Sequence, residues 1–98
     1  MASHEAAALT TLYQGWMERM GANPEMGLPE MRDMFEEWHL PTGEPEGVTY
    51  AEVDAGGVPA MWATPLDGAT DRVIVDTHGG GYVVGSMHSH CKLAGHLA

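Results

Sequence analysis

The run Arg72-Val73-Ile74-Val75-Asp76-Thr77-His78-Gly79-Gly80-Gly81-Tyr82 governs the reading of this 98-residue chain. Residues 72–77 are apolar without alternation, the pattern of a short strand covered on both faces. His78-Gly79-Gly80-Gly81 then strips the Cβ from three consecutive positions. The backbone can turn there through conformations closed to other residues, and its N–H groups can face a ligand instead of a sheet neighbour. A helix is expected to begin near Ser86 to His88 and to carry Leu93, Ala94 and Leu97. Strand, glycine turn and helix in this order make an α/β arrangement. The helical pattern is still running at Ala98, with no glycine or proline after it, so the end reads as a fragment boundary.

Upstream of this run, Val48 to Asp54 and Val58 to Thr64 are β-rich segments separated by Ala55-Gly56-Gly57, a hairpin signal. Pro59 cannot donate to a ladder, so the second strand needs a free edge or a bulge there. Pro41 to Gly47 and Pro65 to Asp71 lack periodicity and read as loops. Two helices precede them. From Ala6 to Met20, the residues Leu9, Leu12, Tyr13, Trp16, Met17 and Met20 recur at helical spacing. Ser3 suits the N-cap, Glu5 the first turn, and Gly21 with Pro24 the stop. From Pro29 to Trp38, Met31, Met34, Phe35 and Trp38 form a narrow apolar stripe opposite Glu30, Arg32, Asp33, Glu36 and Glu37. Such a short amphipathic helix should lie on another element.

Ninety-eight residues suffice for one small domain at most. Fourteen acids against four basic residues give a net charge of -10, which repels phosphate backbones and anionic lipid, so no nucleic-acid partner is expected. No apolar run approaches the roughly 20 residues of a membrane span. Cys91 is the single cysteine, which rules out an intrachain disulfide and the paired-cysteine metal motifs. No signal peptide is visible at the N-terminus, and a reducing, cytoplasmic setting is the expectation.

The glycine cluster invites several chemistries. A phosphate loop is rejected by spacing, because Gly79-x-Gly81 would need a glycine where Val84 stands, and no Gly-Lys-Ser/Thr follows. His88 and His90 fall on different sides of a helix, and with His96 they do not converge as a ligand set, so neither a metal nor another cofactor is expected. These histidines read as solvent-facing or capping. Ser86 sits where a helix cap belongs. The methionine-rich and tryptophan-rich helical faces read as packing, with the face around Trp16 divided between packing and the lining of an acyl channel. A His-Gly-Gly-Gly turn after an apolar strand suits an oxyanion hole. Preorganised backbone donors there stabilise the tetrahedral intermediate of acyl transfer, by roughly 3–4 kcal/mol for an essential donor.

Residues 75–86, together with His88 to Ala98 and the hairpin sequence at 56–60, closely resemble the bacterial esterases related to hormone-sensitive lipase. The resemblance spans nearly the whole chain and is strongest from about Val48 onward. It implies an α/β-hydrolase fold, represented here by its N-terminal portion: two cap helices (1–40), then the start of the core (41–98), with an antiparallel hairpin and a following central strand. It implies that Gly80 and Gly81 supply oxyanion-hole N–H donors, that Gly79 allows the turn, and that His78 supports the loop without being the catalytic base. Tyr82, and less directly Trp16, would border the acyl pocket. The family also needs a Gly-x-Ser-x-Gly elbow, an acid and a histidine. Ser3, Ser86 and Ser89 sit in no such elbow, so the triad lies outside this chain. The expected function is therefore the N-terminal part of a serine hydrolase, esterase or lipase-like, acting on a carboxylic ester or lactone and inactive alone. Its partners would be that small-molecule substrate and the remainder of the hydrolase chain or a complementary fragment. A homo-oligomer is compatible with the sequence. The alternative is a non-catalytic binding or interaction module derived from a hydrolase fold.

Overall fold

Ser3 opens the described part of the chain, residues 3–98 of a computed structural model, as the N-cap of the first helix. Its Oγ accepts from the Ala6 N–H at 3.1 Å, which satisfies one of the orphan donors of the first turn. Helix α1 spans His4–Ala22, and the Asn23 amide closes its end on the Arg19 carbonyl. Helix α2 spans Leu28–Phe35, with Pro29 in its first turn, where a missing N–H costs nothing. The single helix expected from Pro29 to Trp38 is instead α2 followed by a 3-10 turn at Glu36–His39. The Glu36 amide is shared among the carbonyls of Arg32, Asp33 and Met34, the tightening common at helix C-termini.

The two N-terminal helices meet through aromatic rings. Trp16 is 2% exposed. It packs edge-on against Phe35 at 4.6 Å and Trp38 at 5.5 Å, while Tyr13 lies 5.4 Å away on its own helix. Arg19 grips Glu37 with hydrogen bonds of 2.5 and 3.0 Å, and the Trp16 indole donates to the same carboxylate at 3.4 Å. The Arg19 hydrogen bond holds the Glu37 carboxyl below the usual carboxylate range, against a smaller opposing effect of desolvation. Met17, although it falls in the apolar rhythm, faces solvent.

Strand β1, Val48–Asp54, pairs antiparallel with β2, Pro59–Pro65, in the register Val48↔Pro65 to Asp54↔Pro59. The second strand begins one residue later than expected because Val58 belongs to the turn, where its carbonyl accepts from the Ala55 N–H at 2.8 Å. Helix α3, Cys91–Leu97, rests on β2. The contact is close enough that a Cβ on the buried Gly95 would overlap the Tyr50 hydroxyl and stand 2.6 Å from Pro45 Cγ. Lys92 and His96 reach back from α3 to the carbonyls of His39, Thr42 and Gly43 at 2.8–3.2 Å. Helix α3 starts later than the sequence suggested: His90 takes the N-cap position with no side-chain cap bond, and residues 87–90 form a turn.

The segment 72–77, expected as a central strand, joins no ladder among the described residues. A strand needs neighbours, and the hairpin pairs only with itself. Val73, Ile74 and Val75 are 63, 68 and 85% exposed. The whole is a slab of 49 × 39 × 17 Å with a radius of gyration of 15.7 Å, where a finished domain of this length has about 13 Å. Trp16 and Met34 are its buried hydrophobic side chains among the described residues. Residues 73–75 therefore present an exposed apolar surface.

Candidate functional site: the glycine loop

The loop after residue 77 turns through consecutive left-handed conformations. φ is 133° at Gly80, 63° at Gly81 and 61° at Tyr82, with a fourth positive value, 88°, at Gly85. Glycine is required at two of these positions for reasons of space as well. A Cβ on Gly80 would overlap the Val84 carbonyl. On Gly85 it would come within 2.6 Å of the Gly79 carbonyl oxygen and 3.2 Å of His78 Nδ1. On Gly81 it would meet nothing within 4 Å, so only the backbone conformation favours glycine there. The turn is closed by the Val83 and Val84 amides, both donating to the Gly80 carbonyl at 3.1 Å. Among the described residues the amides of Gly79, Gly80 and Gly81 donate to no protein group.

His78 lies against this turn. Its Nδ1 is 2.8 Å from the Gly79 carbonyl, which can only accept, so the hydrogen bond requires the proton on Nδ1. The His78 ring lies 5.6 Å from that of His90, which in turn lies 5.4 Å from Trp38. The aromatic cluster of the N-terminal helices thus continues through His90 to the glycine loop. His90, expected to be solvent-facing or capping, is this bridging ring. His88 is exposed and bonds Glu52 at 2.5 Å, and His96 bonds the Gly43 carbonyl. Among the described residues no three His, Cys, Asp or Glu side chains gather as a metal set.

Ser86 caps the turn that precedes α3 rather than the helix itself. Its Oγ accepts from the amides of His88 and Ser89, each at 3.1 Å, and donates to Glu36 Oε2 at 2.8 Å. Ser89, buried, has its Oγ within hydrogen-bond reach of both the Ser86 carbonyl and His90 Nδ1. Its single proton can serve only one of these at a time. Tyr82 is fully exposed beside Gly81, whereas Trp16 is enclosed by the rings of Tyr13, Phe35 and Trp38. Sequence reasoning assigned no site role to Arg32 or Glu36. Arg32 Nε donates to the Val83 carbonyl at 2.9 Å, so α2 holds the loop directly. The only signal in the sequence was their shared place on the polar face of a short helix.

No helix among the described residues is long and apolar enough to cross a membrane. No family model matches the chain, and no curated protein does. Solved structures do. An esterase from the bacterial hormone-sensitive lipase family aligns over the whole chain at a TM-score of 0.77 and 26% identity. A mutant of a second esterase aligns over the whole chain at 0.76 and 27%. In each case the chain covers 32% of the solved protein's length. By fold and by sequence, therefore, the chain resembles the N-terminal third of bacterial hormone-sensitive-lipase-family esterases of the α/β-hydrolase fold.

Proposed function

We propose that the chain supplies the oxyanion-hole loop, and part of the substrate cap, of a serine hydrolase acting on carboxylic esters or lactones. The observation that carries this reading is the turn itself. The Gly80 and Gly81 amides are unspent, and the conformation that presents them has no room for a side chain at position 80. In the reaction, the serine oxygen attacks the acyl carbon and the carbonyl electron pair moves onto oxygen. The resulting oxyanion accepts hydrogen bonds from the Gly80 and Gly81 amides. The hydrolase's histidine takes the serine proton and gives it to the leaving alkoxy oxygen as the intermediate collapses to an acyl-enzyme, which water then hydrolyses to the acid and free serine. The serine, acid and histidine belong to the other two thirds of the hydrolase. Tyr82, free of contacts beside Gly81, fronts the acyl group, and Trp16 serves that side through the aromatic cluster in which it is packed.

The test joins this chain to a hydrolase core that carries the elbow serine, acid and histidine, with p-nitrophenyl butyrate as substrate. The joined protein is expected to turn over and to lose that activity to a fluorophosphonate at the elbow serine. The 98-residue chain alone is expected to be inactive. Turnover by the chain alone, with Ser86 carrying the label, would overturn the assignment.

A further inference from the structure

The glycine loop is fastened to the N-terminal helices from one helix face. Arg32 in α2 donates through Nε to the Val83 carbonyl at 2.9 Å. One turn further, Glu36, whose own amide bonds the Arg32 carbonyl, accepts from Ser86 Oγ at 2.8 Å. Residues four apart share a helix face, so two adjacent side chains of opposite charge hold the two ends of the segment 83–86.

We propose that Arg32 and Glu36 are positioning residues that set the geometry of the glycine loop, so that the loop and the N-terminal helices act as one mechanical unit. This rests on the oxyanion reading of the loop and extends it. The Arg32 bond falls on the peptide unit between Val83 and Val84. The N–H of that same unit donates to the Gly80 carbonyl and closes the glycine turn. The unit is therefore held from both ends, and a charged donor on its carbonyl polarises it and strengthens its N–H as a donor. Glu36 acts in the same way at the other end. By accepting the hydrogen bond of the Ser86 hydroxyl, it turns the lone pairs of Oγ toward the amides of His88 and Ser89, which lead the chain into α3. A clamp is needed there. Tyr82 has a left-handed φ that costs a residue with a Cβ, and the Gly80 and Gly81 amides have no protein partner to fix them. Displacing α2 would release the peptide that closes the turn.

Two readouts test the clamp. The first is hydrogen exchange by mass spectrometry over the peptide holding Val83 to Ser86, in the 98-residue chain. Arg32→Ala and Glu36→Ala are each expected to raise exchange there about tenfold, the lower end of what a hydrogen bond to a charged group contributes. Arg32→Lys and Glu36→Gln, which keep a donor and an acceptor, should restore most of the protection. The second is steady-state kinetics in the chain joined to a complete hydrolase core. There Arg32→Ala should lower kcat about tenfold with KM within about twofold, the mark of an interaction that serves the transition state. Unchanged exchange in both alanine variants overturns the clamp, as does wild-type exchange already at the unprotected rate. If exchange rises as expected but Gly80→Ala leaves kcat intact, the clamp stands and the oxyanion reading is the part that fails.

Discussion

Adding one methyl group at Gly80 should damage the loop far more than adding it at the neighbouring Gly81. At Gly80 the new Cβ overlaps the Val84 carbonyl and lies 2.7 Å from its carbon, and φ is 133°. A side chain forced into such a conformation costs about 1–3 kcal/mol. Moving Val84 away also endangers the two hydrogen bonds that converge on the Gly80 carbonyl, at about 0.5–1.5 kcal/mol each. The turn will rearrange rather than bear this, and the Gly81 amide will move with it. On the proposed oxyanion role, losing one donor lowers kcat by about 10²–10³. At Gly81 the methyl meets open space and φ is 63°, an ordinary left-handed value costing alanine about 1–2 kcal/mol. Part of that is returned by the stiffer unfolded chain, about 0.4–1 kcal/mol. Gly81→Ala should therefore lower kcat less than about tenfold. The assay is p-nitrophenyl butyrate turnover by the chain joined to a hydrolase core, with a melting curve on each variant to show that the fold survives. A folded Gly80→Ala protein with near-normal kcat, or a Gly81→Ala protein that is the worse of the two, would refute the reasoning.

Gly95→Ala sets helix propensity against packing. Alanine gains about 1 kcal/mol in the helix, but its Cβ meets Tyr50 and Pro45, and overpacking costs about 1–3 kcal/mol. A urea titration should show a net loss of stability, and a gain would mean that α3 sits more loosely on the hairpin. Glu37, with its carboxyl lowered by Arg19, stabilises the fold above the ordinary carboxylate pKa, and this contribution is lost as pH falls through the lowered value. Glu37→Gln should therefore shrink the difference in stability between about pH 7 and about pH 3, with less than about 1 kcal/mol lost at neutral pH because the pair is partly exposed. Equal acid sensitivity in the variant would count against that assignment. The uncovered run Val73 to Val75 should make the isolated chain bind a hydrophobic dye, and Ile74→Asp should reduce the binding; dye binding indifferent to Ile74→Asp would place the apolar surface elsewhere.

What the sequence determined by itself is what short-range chemistry controls. Ser3 caps α1 because its oxygen reaches an amide three residues away. The hairpin, though not the place of Val58 in its turn, follows from two β-rich runs around Gly56 and Gly57, both at positive φ. The glycine turn was legible because three missing Cβ atoms leave few other uses for that backbone. The sequence also carried the family resemblance that the solved esterases bear out. Other features depended on residues brought together from far apart in the chain. Arg32 and Val83 are 51 positions apart, and Glu36 and Ser86 are 50. No periodicity links them, so two charges that read as a solvated helix face became the anchors of a loop. His90 became a bridging ring only because Trp38 and His78 arrive on either side of it. Residues 72–77 show the same limit from the other side. Their composition marks a strand, but a strand exists through its neighbours, and a ladder is a property of pairing that no single segment holds.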